Sequence, residues 1–418
     1  MSYPTETPSS TLHAWCAIAF CLALSGGHAR GEQASRGGGG YDWPCWRGPH
    51  RNGISAERGL NWAWAPEGPR VLWKASVGKG FSSFAITRGK AYTLGNTGNA
   101  DTIFCLDAET GKEIWKHSYP CPLQPLSYEG GPSATPAIDN GKAFTISKSG
   151  HCLCLDAATG RIVWSKDFDP PPTTKQDYRV WWGFAGSPLI MGDRLILAVG
   201  SAGAALDKAT GRVAWDNGPG RPGYSSPVPF QRGPEQALAF LSGHEIVTVR
   251  ANDGGVLARV PWRTTWDQNA PDVIVAAQKL FVSTGHGVGC ALFDIAPAIP
   301  LQLWRNKNLR SRLSTPVLWK GHLYGFDDNR LACLDWNTGE TRWTADDTRQ
   351  GSLIIADEKL IALQEDGTLL VAGASGEGYR PLIKARVLDG RCWTSPVLSG
   401  GRIFVRNAEG AVACLDLR

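Results

Sequence analysis

Little in this sequence is charged, and nothing in it is charged in blocks. Charged residues are 19% of the 418, no run of five or six like charges occurs, and the net charge is only +5. Such a chain has no concentrated basic face for nucleic acid or an anionic lipid surface, so binding to either is not expected. Helical spacing of apolar residues is missing along the whole length, which argues against a helix bundle or coiled coil. Apolar runs are short as well. The longest, AWCAIAFCLAL at residues 14–24, is about half as long as a membrane-spanning helix, and no transmembrane helix is expected. The G-x-S-x-G elbow, the Walker loop and the H-E-x-x-H pair are also absent, which removes the common signatures of serine hydrolases, P-loop nucleotidases and zinc peptidases.

The short apolar run reads instead as the core of an export signal. Gly27 and Ala29 place small residues three and one positions before a cleavage point after Ala29, although no Lys or Arg precedes the run. Residues 1–29 are therefore expected to be a signal peptide and residues 30–40 a glycine-rich linker. Residues 41–70 would form an N-terminal extension, and the mature protein would be periplasmic or extracellular. Neither Cys16 nor Cys21 sits in a lipid-anchor context. Cleavage would leave nine of eleven cysteines, an odd number, so at least one thiol stays unpaired within the chain. Cys105, Cys154, Cys333 and Cys414 share one slot of a repeat and read as small buried hydrophobes. The pairing of Cys45, Cys121, Cys152, Cys290 and Cys392 stays open.

What is plentiful is glycine, with 50 residues, and tryptophan, with 18. Many short strands joined by tight turns would use them in this way. The phrase CLDAETGKEIW at residues 105–115 returns 49 positions later as CLDAATGRIVW, with seven of eleven letters unchanged. Two landmarks recur and count the copies independently. The first, a Ser or Thr usually followed by Pro, stands at Ser83, Thr135, Ser187, Ser226, Thr315 and Ser395, with degenerate copies at Asp272 and Ser352. Ser83 and Ser395 are 312 residues apart, seven intervals of about 45, the length of a four-stranded propeller blade.

The second landmark is Asp-x-x-Thr-Gly with Trp four positions after the Gly. It is complete at Asp107, Gly111 and Trp115; at Asp156, Gly160 and Trp164; at Asp207, Gly211 and Trp215; and at Asp335, Gly339 and Trp343. Trp262 and Trp304 keep only the aromatic. The eighth copy stops after its third strand, while residues 71–77, with Trp73 in the Trp slot, look like the missing fourth. The expectation is an all-β, eight-bladed propeller of four-stranded antiparallel blades over residues 71–418, closed by its N-terminal strand, with seven blades as the alternative.

The second landmark resembles the tryptophan-docking repeat of the pyrroloquinoline quinone (PQQ) enzyme propellers. That resemblance implies that Trp73, Trp115, Trp164, Trp215 and Trp343 dock on the Asp-x-x-Thr-Gly turn of a neighbouring blade. The preamble WPCWRGPHRNGIS at residues 43–55 is similar to the opening of secreted bacterial PQQ-like repeat proteins and reads as a Trp-anchored cap over the closing blade. The enzymes of this superfamily hold PQQ with an indole floor, a ring of two adjacent oxidised cysteines and Ca²⁺. Here no Cys-Cys pair and no C-x-x-C-H haem motif occurs.

The leading expectation is thus a monomeric, exported platform that binds protein or another ligand at one propeller face, with no cofactor, no metal and no catalytic residues. In organisation it is similar to the propeller lipoprotein of the outer-membrane β-barrel assembly machinery. The rival is a PQQ- and calcium-dependent alcohol or sugar dehydrogenase, and the reading leans against an enzyme. Asp327, Asp328 and Asn329 are read as a hairpin rather than a Ca²⁺ site, and His286 as a turn residue. Positions two before each first landmark should ring the mouth of the axial channel, and aromatics and arginines lie near them. Phe81, Trp182, Tyr224, Trp266, Arg312, Gln350 and Trp393 are the candidate rim, with Tyr178, Trp181, Phe184 and Arg310 close by.

Overall fold

The second repeat shows how these residues fold locally. PAID, KAFTIS, CLCLDA and RIVWSKD become the strands Ala137–Asp139, Lys142–Ile146, His151–Asp156 and Ile162–Asp167, paired antiparallel in chain order. Asn140 and Gly141, both at positive φ (45° and 73°), make the two-residue turn that joins the first pair. Left-handed turns of this kind match the twist of flanking strands and admit few residues other than Asn and Gly.

The computed structural model describes residues 41–123, 125, 128–168 and 182–418. The expected signal peptide, the linker, Tyr178 and Trp181 lie outside them. Within them the same meander is built eight times, giving the eight four-stranded sheets of a propeller rather than seven. Blades are numbered here from the copy that begins at Ser83. One 3-10 turn, Thr265–Asp267, is the only helical element among the described residues, and no helix there is long and apolar enough to cross a membrane. The eighth blade takes Val397–Ser399, Arg402–Arg406 and Ala411–Asp416 from the end of the chain and its outermost strand, Val71–Ser76, from the start.

Each outer strand pair carries a register shift at the same place. In blades one, two and six it falls directly after Cys105, Cys154 and Cys333, and in blade eight beside Trp73. An extra residue there adds twist to the outer strand. The cysteines of this slot are buried, and all nine described cysteines are free thiols. Burial pushes the Cys105 and Cys154 thiols up to about 11 and those of Cys333 and Cys414 to about 12, so they stay protonated and unreactive at neutral pH.

The core lies between consecutive sheets, where Trp115, for example, packs with Tyr92, Leu94, Leu153 and Leu155. The indoles of Trp73, Trp115, Trp164, Trp215 and Trp304 cover Gly111, Gly160, Gly211, Gly254 and Gly339 of the next blade, and each docking indole N–H donates to a nearby carbonyl. Trp73 reaches Ala108 O (3.1 Å), Trp115 reaches Ala157 O (3.1 Å), Trp164 reaches Lys208 O (3.0 Å) and Trp215 reaches Ala251 O (3.0 Å). Trp304 and Trp343 do the same with Trp336 O and Ser375 O. Trp262 differs. The blade that follows it has no landmark glycine, and its indole bonds the Thr284 hydroxyl (2.9 Å).

The preamble is placed differently from the cap expected over the closing blade. It lies inside the channel, along the inner strands. Trp43 pairs with Ile86 of blade one, Pro44 O accepts the Ile138 amide of blade two, and Ile54 pairs with Ile355 of blade seven, whose carbonyl accepts the Ser55 amide. Glu57, also buried, then accepts the Gly400 and Gly401 amides of blade eight (3.0 and 2.6 Å). A ring of eight blades leaves an axial hole that the inner strands alone do not fill. Trp43 and Arg47, both buried, fill it.

Candidate functional site

The first landmark turns out to form a belt around the axis. The Ser83 amide donates to the Thr135 hydroxyl (3.0 Å), Thr135 N to Ser187 Oγ (2.9 Å) and Ser187 N to Ser226 Oγ (3.0 Å). The chain continues from Ser226 N to Asp272 Oδ1 (2.7 Å) and from Asp272 N to Thr315 Oγ1 (2.8 Å). Asp272 therefore performs the hydroxyl's role with one carboxylate oxygen. Its second oxygen, Oδ2, accepts the indole N–H of Trp46 at 2.7 Å. The copy that looks degenerate in sequence is where the plug is fastened. Arg47 secures it further by donating to Thr315 O and Pro316 O, both at 2.9 Å.

On the open side of the belt is a pocket of about 510 Å³. Trp46 closes it from below. Of the seven expected rim residues, Phe81, Trp182, Tyr224, Trp266, Arg312 and Trp393 line it, with Ser133, Ala185, Ala270 and Leu313 from the equivalent positions. Gln350 does not. The inner strand of blade seven, Gly351–Ala356, starts three residues earlier relative to its landmark than those of its neighbours, and draws Gln350 into a hairpin where its carbonyl accepts the Glu365 amide (2.7 Å). Phe184 is buried in the core instead, and Arg310 is paired with Asp327 (2.7 Å) and Asp328 (3.1 Å).

The pocket has two unlike walls. On one side Trp393, Phe81, Tyr128, Trp182 and Tyr224 form a continuous arc in which successive ring centroids are 5.6, 5.3, 5.8 and 5.4 Å apart. Facing it are Gln268, His286 and Arg312, from blades five and six. His286 sits in a turn at positive φ, as expected, with Nε2 against Gln268 Oε1. Burial and the nearby Arg312 charge hold its pKa below the usual 6.5. Trp266, at φ 68° and 61% exposed, stands at the mouth.

Several lining residues were not legible in the sequence. Tyr128 lies far from its landmark in a long connection, and Trp46 and Gln268 reach the pocket only through the plug and the 3-10 turn. The acidic pair Asp327 and Asp328 is a hairpin neutralised by arginines, since Arg330 also bonds Asp327 (3.4 Å). Among the described residues no group of three or more His, Cys, Asp or Glu could hold a metal ion.

A closed ring of eight blades, six of its outer strands docked on the next blade by a tryptophan, with a plugged axis defines the molecule as a PQQ-like repeat propeller. The chain belongs to the family described as outer membrane protein assembly factor BamB, which matches residues 99–345, more than half of it. No curated protein matches the sequence. Among solved structures it is similar to BamB from Moraxella catarrhalis, with 16% identity and a TM-score of 0.62 over 83% of this chain and 99% of that one. It is also similar to the quinohemoprotein alcohol dehydrogenase from Comamonas testosteroni, with 12% identity and a TM-score of 0.62 over 90% and 80% of the two chains. A europium-containing methanol dehydrogenase gives 12% identity and 0.64 over 87% and 89%. At these identities the likeness is one of fold.

Proposed function

We propose that the protein is an exported, non-catalytic binding or assembly platform, acting as a monomer, and that the blind pocket is where it takes its ligand or a group from a partner protein. The observation that carries this reading is the lining itself. A concave, largely aromatic site with a few polar groups is the general form of a binding site, and it sits on loops held by a rigid ring. Membership of an assembly-factor family supports the same reading.

The rival reading, a PQQ- and Ca²⁺-dependent dehydrogenase, draws on the likeness of fold to such enzymes. The donor set in the pocket does not fit that group. A calcium site needs six to eight oxygens, several from carboxylates. Asp272 is the one carboxylate among the described lining residues, and both its oxygens are engaged by the belt and the plug. A quinone with three carboxylates would meet one arginine. The deciding experiment incubates purified protein with PQQ and Ca²⁺ and follows alcohol-dependent dye reduction. The expected result is no rate above the cofactor-free control; substrate-dependent turnover would overturn the platform reading.

A further inference from the structure

We propose that the pocket selects a flat, largely apolar small molecule with a single anionic end, of the aryl monocarboxylate kind, its ring plane on the aromatic arc and its carboxylate on Arg312. This rests on the binding reading above and names the ligand class for the same site.

The inference begins with what the pocket can satisfy. Polar groups at its floor are partly committed, since Ser187 and Ser226 each accept a belt amide and both oxygens of Asp272 accept donors, which leaves few acceptors for a ligand's hydroxyls. A sugar ring buried here would leave most of its own hydroxyls without partners, at about 1–3 kcal/mol each. The arc of five aromatic side chains instead presents ring faces and edges, which favour stacking by a planar apolar body.

Charge then fixes the sign of the ligand. Arg310, two residues earlier, is neutralised by Asp327 and Asp328, but Arg312 has no carboxylate within ion-pair distance among the described residues. Its stem lies across the His286 turn at Gly285, where an added Cβ would come within 3.1 Å of the Arg312 Cα. His286 beside it is held neutral at pH 7, so the polar wall carries one positive charge. Trp182 Nε1 is buried and has no acceptor among the described residues, a second donor that a ligand oxygen would satisfy. Both groups are donors, and no free carboxylate lines the site among the described residues. An aromatic cage for a quaternary ammonium is therefore the wrong polarity, and a polyanion has too few cations. The volume and the closed floor suit one small molecule.

Calorimetric titration of the intact protein tests this. The probes are 2-naphthoate, its uncharged isostere 2-naphthamide, a disaccharide, PQQ with Ca²⁺, and the peptide acetyl-Gly-Gly-Phe. Naphthoate should bind at least about tenfold more tightly than the amide, as a charge-assisted contact gives. Arg312→Gln, at an exposed position and checked for folding by circular dichroism, should reduce that preference to about twofold or less. Trp393→Ala should weaken both probes together. Equal binding of acid and amide, an unchanged preference in Arg312→Gln, or no binding of naphthoate overturns the inference. Tighter binding of the peptide would also overturn it, assigning the pocket to a protein chain end. A disaccharide or PQQ that binds while naphthoate does not removes the ligand class and leaves the platform reading standing; cofactor-dependent turnover removes the platform reading itself.

Discussion

The landmark glycine performs two tasks, and a pair of substitutions separates them. Gly141 and Gly160 share φ 73°, a left-handed conformation that a side chain makes costly by about 1–2 kcal/mol. A Cβ at Gly141 meets nothing within 4 Å, whereas at Gly160 it would lie 2.5 Å from the Trp115 ring. In urea unfolding, Gly160→Ala should therefore be more destabilising than Gly141→Ala by about 1–3 kcal/mol, the usual range for overpacking. Equal losses would show that the indole does not rest on the glycine. The demand for glycine in the Asp-x-x-Thr-Gly turn was readable in the sequence. The contact with Trp115 was reached only through resemblance, because it joins residues 45 positions apart across two sheets.

Among the elements, the docking turns respond to acid. Burial pushes the Asp107 and Asp335 carboxyls up, but hydrogen bonds from Thr110 and Thr338 and their neighbours outweigh it and hold both below the usual 3.8. At Asp156 and Asp207 the largest influence is the side-chain hydrogen bond from Thr159 and Thr210, again downward. A carboxyl whose folded pKa is depressed contributes stability that is complete above about 3.8 and is lost as the pH falls through its lowered value. Melting temperature should thus drop between about pH 5 and pH 2.5, and Asp156→Asn, with no carboxyl to titrate, should show a smaller drop. An identical decline in both proteins would mean the turn charge is irrelevant. Strand count and the closing strand at Val71–Ser76 were legible, since the landmarks recur at fixed spacing. The repeated bulge was not, because an extra residue in an outer strand leaves no mark on a period of about 45.

For the molecule as a whole, the plug decides whether there is a pocket or a hole. Arg47 is buried, and burial lowers its pKa to about 10, so it remains cationic at pH 7 while serving backbone carbonyls. Arg47→Met should leave Thr315 O and Pro316 O without donors and cost about 2–3 kcal/mol, with the Ser55 and Ile355 amides losing protection in hydrogen exchange. Unchanged protection would show that the plug is held by other means. This part of the site could not be read from the chain, since Trp46 meets a partner 226 positions away that looks like a damaged repeat. The aromatic rim could be, because each blade places the same offset at the same mouth; Gln350 departs from it only through the early start of its strand.

The threaded preamble also sets the direction in which the protein can be held. Tyr41 O receives the Ser399 hydroxyl and Asp42 receives Thr87, both at hairpins on the far side of the ring from the pocket mouth. A bead, fusion partner or sensor chip coupled at Tyr41 would orient every molecule alike with its opening outward, so immobilised protein should capture ligand as well as protein free in solution.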